Sequence, residues 1–112
     1  MHQILSHHSL TIHLPIGNLY RGAHVLILLQ AADGRFILGQ KSQFYPSGIA
    51  RMVGGGMHEG ESPQEAAQRE LREELGVIFA EHEIKYLCGI HTSAKTSIGD
   101  FEMMNYIFLV HI

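Results

Sequence analysis

The sequence predicts an α/β domain built mostly of strands around one helix. Short apolar runs bounded by turn residues recur along the chain. A single segment, Ser62 to Gly76, carries both a helix start and a helix stop. No repeat, low-complexity tract or linker divides the 112 residues, so residues 1–112 are expected to form one domain with room for a usable core.

Taken in order, residues 1–22 are a mixed lead, with weak strand character from Leu10 to Leu14 that Pro15 and Gly17-Asn18 interrupt. His24 to Gln30 is a compact apolar run suited to a buried central strand. Asp33-Gly34 is a hairpin turn, and Arg35 to Gln40 supplies the returning strand. Lys41 to Ala50 reads as loop, and Arg51-Met52-Val53 as a short strand feeding a glycine loop at Gly54-Gly55-Gly56. In the helix that follows, Ser62 caps the free amides, Pro63 suits the first helical position and Glu65 completes a capping box. Gly76 ends it in a left-handed conformation, and Ala66, Ala67, Leu71 and Leu75 form its apolar stripe. Val77 to Phe79 and Ile84 to His91 read as strands about a polar turn at Glu81-His82-Glu83. Thr92 to Asp100 reads as polar loop, and Glu102 to Ile112 as the longest strand.

Composition excludes several classes. With 46% hydrophobic and 17% charged residues the chain is neither disordered nor membrane-like, and no apolar run approaches the roughly 20 residues of a membrane span. Net charge of −3 gives no footprint for a nucleic-acid polymer. A single cysteine, Cys88, cannot form an internal disulfide, which fits a reducing, cytoplasmic setting; its apolar strand context reads as core. The N-terminal segment lacks the features of a signal peptide. The nine histidines show no zinc-ligand spacing, and no Gly-Lys-Ser/Thr follows the glycines, which excludes a Walker-type phosphate loop.

The helix carries charges that work against its own stability. Glu70, Glu73 and Glu74 fall within roughly a 100° arc, and like charges three or four apart cost about 0.2–0.5 kcal/mol per pair. Arg69 and Arg72 are expected on a different side, unable to neutralise the cluster fully. Carboxylates concentrated beside a glycine segment suit a divalent cation, and oxygen ligands suit magnesium or manganese.

Gly55, five residues, Glu61, seven residues, then Arg69-Glu70-Leu71-Arg72-Glu73-Glu74-Leu75-Gly76-Val77 resembles the complete Nudix box, Gly-x5-Glu-x7-Arg-Glu-U-x-Glu-Glu-x-Gly-U with U a bulky aliphatic residue. The resemblance implies a mixed β-sheet in an α/β/α sandwich and a pyrophosphohydrolase of nucleoside diphosphates linked to another group. It implies that Glu70, Glu74 and Glu73, with the Gly54 carbonyl, hold Mg2+ or Mn2+. It also implies that Arg69 pairs with Glu61 to brace the loop. Arg51, Gly54, Gly55 and His58 are the substrate-binding candidates beside the box. The general base is expected to be a box glutamate, Asp100 or Glu102. Phe44, Tyr45 and Tyr106 are candidates for stacking on a base, and the segments 43–51 and 92–100 for choosing the substrate. Nudix domains usually continue into a C-terminal helix over the sheet's other face. This chain stops at Ile112, so a naturally short or truncated chain that associates, as in a homodimer, is expected.

Two other readings compete. A non-catalytic nucleotide-binding or regulatory module keeps the fold but usually loses a box carboxylate, and none is missing here. A relative of isopentenyl-diphosphate isomerase needs a catalytic cysteine, and Cys88 in its strand does not suit that role.

Overall fold

The computed structural model describes residues 4–11, 22–39, 50–96 and 99–112, with the backbone path alone for 4–11, 94–96 and 101. Its elements are β1 (Ile4–Thr11), β2 (Ala23–Gln30), β3 (Phe36–Ile37), β4 (Val53–Gly56), α1 (Pro63–Leu75), a 3-10 turn (Glu81–Glu83), β5 (Lys85–Thr96) and β6 (Gly99–His111). The six strands make one mixed sheet in the order β1-β5-β6-β2-β3, with β4 pairing β2 beside β3. β1 with β5 and β2 with β6 are parallel; the other pairs are antiparallel.

Alternation along β2 sets the core. Val25, Ile27 and Leu29 are buried on the face that meets α1, where they pack with Ala66, Ala67 and Leu71. β6 runs parallel to β2 in steady register, Val25 opposite Tyr106 and Ile27 opposite Phe108. Phe108 and Val110 therefore join the same core, with Tyr86 edge-on to Phe108 at 5.4 Å between ring centres.

Both helix ends form as expected. Ser62 Oγ accepts from the Glu65 amide, the Glu65 carboxylate accepts from the Ser62 amide, and Gly76 closes the helix at φ 69°. Leu75 departs from the expected stripe and is 40% exposed.

Four segments differ from expectation. Gly54 to Gly56 are β4 itself, laddered on His24 to Leu26, so the true loop is the turn from Met57 to Glu61. Val77–Phe79 is not a strand. Gln68 of α1 donates its side-chain amide to the Phe79 carbonyl and Phe79 packs on the core, Gln64 donates to the Glu81 carbonyl beyond it, and Val77 and Ile78 are exposed. The expected loop from Thr92 to Asp100 is largely strand. Its polar composition misleads because β5 is bonded on both edges there, Thr92 to Met103 of β6 and to His8 of β1. The return strand of the first hairpin is only Phe36–Ile37, with an isolated bridge between Gly39 and Arg51 beyond it.

Leu10 and Thr11 lie in β1, which begins earlier than expected at Ile4; the rest of the Leu10–Leu14 segment is outside the described residues. Cys88 is a half-buried free thiol on β5 rather than full core. Among the described residues α1 is the one α-helix, no helix follows β6, and no helix is long and apolar enough to cross a membrane.

Candidate active site

The site forms where α1 crosses β4. Two glycines make the approach possible, each for its own reason. At Gly54, φ is +150°, and a Cβ would fall on the Val25 carbonyl of the neighbouring strand. At Gly55 a Cβ would stand 2.6 Å from Glu70 Oε1. A side chain there would force the carboxylate to shift, so glycine leaves the space that Glu70 fills. Glu70 is 6% exposed and sits among the buried residues of α1. A buried carboxylate without a compensating cation or hydrogen bond is expensive, which makes its partners decisive.

Arg69 supplies the compensation. Its Nε donates to Glu61 Oε2 at 2.7 Å and its Nη2 to Glu61 Oε1 at 3.0 Å, a two-pronged pair between groups only 12% and 13% exposed. Nη2 also reaches the Gly56 carbonyl at 3.0 Å, while Nη1 donates to Glu70 Oε1 at 3.0 Å and to Glu73 Oε2 at 3.3 Å. Glu61 Oε1 further accepts the His58 amide at 2.9 Å, which closes the turn after β4. The hydrogen bond from Arg69 holds the Glu61 carboxyl down from 4.5 to about 2, against the opposing effect of burial and with help from the His58 amide. Glu61 and then Glu70 push the Arg69 guanidinium further up, burial again opposing.

The expected brace between Arg69 and Glu61 is therefore present. The expectation that Arg69 projects from a different side than the three carboxylates is corrected for two of them. Its side chain is long enough to reach both Glu70 beside it and Glu73 one turn on, while its fork remains on Glu61. A wheel projection places Cα positions and ignores the reach of a guanidinium.

A second group lies on the other side of the glycines. Arg51 Nη1 donates to the Gly54 carbonyl at 3.3 Å, and Nη2 meets Glu74 Oε1 at 3.5 Å. The structure thus brings Gly56, Glu61, Arg69, Glu70 and Glu73 into one cluster and Arg51, Gly54 and Glu74 into another, with Gly55 beneath Glu70. No spacing rule ties Arg51 to Glu74, 23 positions on; only the pairing of strand against helix puts them together.

The remaining candidates divide. His58 is exposed on the turn and contributes its backbone amide to Glu61. Asp100 and Glu102 are on β6, not on a loop, and alternation with Phe108 places them on the face that carries α1. Glu102 Oε1 stands 3.8 Å from His91 Nε2, a pair that sequence spacing did not signal. Tyr106 is half-buried against the core, tilted on Tyr86. Phe44 and Tyr45, and most of the 43–51 segment, lie outside the described residues.

Among the described residues, no three His, Cys, Asp or Glu side chains converge as a ready metal cage. The carboxylates are drawn onto arginines instead. The donors themselves are all oxygens, carboxylates of Glu70, Glu73 and Glu74 and the carbonyl of Gly54, and the space over Gly55 is kept clear for one of them. That chemistry fits a hard divalent cation.

A glycine strand crossed by a capped helix that carries a buried, arginine-bound glutamate defines a class of α/β domain. A family model for the NUDIX domain matches residues 20–111. The chain belongs to the Nudix family. No curated protein matches it by sequence. Among solved structures it is similar to a MutT/nudix family protein from Enterococcus faecalis (20% identity, TM-score 0.66, covering 90% of this chain and 40% of that one). It is also similar to the E. coli dihydroneopterin triphosphate pyrophosphohydrolase (19% identity, TM-score 0.64, 82% of this chain and 68% of that one). A third is the NUDIX domain of Shewanella oneidensis NrtR complexed with ADP ribose (20% identity, TM-score 0.61, 89% of this chain and 66% of that one). The chain spans well under half the length of the Enterococcus protein, and identities at this level speak to the fold.

Proposed function

We propose that this Nudix domain is a divalent-metal-dependent pyrophosphohydrolase of a small nucleoside diphosphate derivative. The observation that carries the reading is Glu70: a carboxylate 6% exposed, seated in the space Gly55 leaves and flanked on α1 by Glu73 and Glu74.

In this reading Glu70, Glu74, Glu73 and the Gly54 carbonyl would hold Mg2+ or Mn2+. When bound, the ion neutralises phosphate charge and lowers the pKa of water. The chain's own residues do the rest. Arg69, locked on Glu61, holds the turn after β4 against the helix and keeps the Glu70 carboxylate in place. Arg51 and the His58 turn border the place where the diphosphate would lie. Water adds to one phosphorus, the bridging P–O bond breaks, and the water's proton passes to an acid side chain. Glu73, half exposed beside the buried Glu70, and Asp100 and Glu102 on β6 are the candidates for that base.

The similar structures suggest the first substrates to try, a pteridine triphosphate and ADP ribose, followed by nucleotide sugars, nucleoside triphosphates and dinucleoside polyphosphates. Glu70→Gln and Glu74→Gln are each expected to abolish magnesium- or manganese-dependent product formation across that panel while circular dichroism shows that the protein stays folded. Near-normal turnover in both variants would overturn the reading. Tight nucleotide binding without product under any divalent metal would favour a regulatory module. The free thiol of Cys88 supports a reducing, cytoplasmic setting.

A further inference from the structure

We propose that Arg51 is a resident cation of the metal-ligand group, displaced when a divalent ion binds and thereby released toward the substrate's phosphates. The inference rests on the metal-dependent reading above and goes beyond it. The two groups that Arg51 contacts, the Gly54 carbonyl and the Glu74 carboxylate, are two of the oxygens assigned to the ion. A guanidinium is permanently charged and only donates, so at these oxygens it satisfies the same demand as a metal ion does. It also repels a second cation brought to the same place.

The contrast with Arg69 shows which arginine can move. Arg69 is 12% exposed and holds Glu61 at 2.7 Å, within the range of a charge-assisted bond. Arg51 is 23% exposed, and its contacts of 3.3 and 3.5 Å are long for charged partners. Its backbone is held, because Arg51 N–H and C=O both bond across the bridge to Gly39 at 2.8 Å. The Cα is anchored and the guanidinium is weakly tethered. Exchange therefore needs only side-chain rotation. Arg51 released from Gly54 and Glu74 stays next to the ion's ligands, where a diphosphate held by that ion offers it a new anionic partner.

The consequence is a pair of opposite effects in one variant. Loss of the Arg51 charge removes a competitor of the ion and a partner of the phosphate together. In Arg51→Gln, Mn2+ alone, titrated and followed by the electron paramagnetic resonance signal of the free ion, is expected to bind about tenfold tighter, or about 1.4 kcal/mol. The same variant is expected to show a raised KM for whichever panel substrate turns over. Arg51→Lys keeps the charge without the fork and should fall between the two for both quantities. A merely structural role would weaken metal and substrate binding together and lower the melting temperature in step.

Unchanged or weaker Mn2+ binding in Arg51→Gln overturns the inference. Where the parent still binds Mn2+ and Glu74→Gln loses it, unchanged or weaker binding in Arg51→Gln leaves the hydrolase reading standing and removes only the exchange. A parent protein that binds no Mn2+ overturns both.

Discussion

Glu61 and Arg69 are the tightest polar pair of the site, and they make a pH-dependent contribution to stability. The Glu61 carboxyl titrates near 2 in the folded chain and near 4.5 when unconstrained. The unfolded chain thus binds this proton more readily, so the pair stabilises the fold fully above about pH 4.5. That contribution fades as pH falls towards 2 and is on the order of 2–3 kcal/mol. Glu61→Gln is expected to lower the melting temperature at pH 7 and to flatten its fall between pH 4.5 and 2. Thermal melts of both proteins across that range, monitored by circular dichroism, test this; parallel acid limbs would refute it. Gly55 makes a different point at the same scale. It sits in an ordinary strand, and what it contributes is the volume a methyl group would take from Glu70.

Among the elements, α1 is the most independently specified. Its capping box, Pro63 at the start and left-handed Gly76 at the end all act within a few residues of one another. Ser62→Ala removes the hydroxyl that accepts the Glu65 amide and is expected to cost about 1 kcal/mol, seen as a lower denaturant midpoint at unchanged m-value. Local signals of this kind explain why the helix and its caps were readable from the residues alone, whereas the Glu61–Arg69 brace came only from the resemblance to the Nudix box. The strands were readable only in part. β2 announced itself by its apolar run, and Asp33-Gly34 by its turn. The Thr92–Thr96 half of β5 did not, because its residues are polar and its extended form comes from β1 and β6 on either side. Gly54 to Gly56 looked like loop for a similar reason. Glycine is a poor strand former, and here close approach to Val25 and Glu70 outweighs propensity. Arg51 beside Glu74 was beyond reach, since the contact exists only after β4 has paired with β2 and α1 has docked.

At the scale of the molecule, the main buried cluster of the described residues lies between the sheet and α1, with Phe108 its largest fully buried member. Phe108→Ala empties that cluster under Val25, Ile27 and Tyr86 and is expected to cost about 3–5 kcal/mol. Against a total of about 5–15 kcal/mol for a domain, this should bring the variant close to unfolding at physiological temperature. Chemical denaturation at 25 °C measures it; a loss below about 1 kcal/mol would show that the cluster repacks. The Nudix identity was legible because the box is a local pattern. The sheet that presents the box is not local, and its order emerges only from long-range pairing.

The parallel union of β2 with β6 has a consequence for how the protein is made. β6 follows β2, β4 and α1 in sequence, yet lies between β5 and β2 and is the central plank that joins the two halves of the sheet. On the ribosome, β2 and the whole glycine–helix segment are synthesised before that plank. The nascent chain therefore exposes the apolar side of β2 until β6 emerges, and this non-local pairing makes folding slow relative to a helical bundle. A helix with its own capping signals suits such a schedule, since α1 can form locally before the sheet exists to receive it.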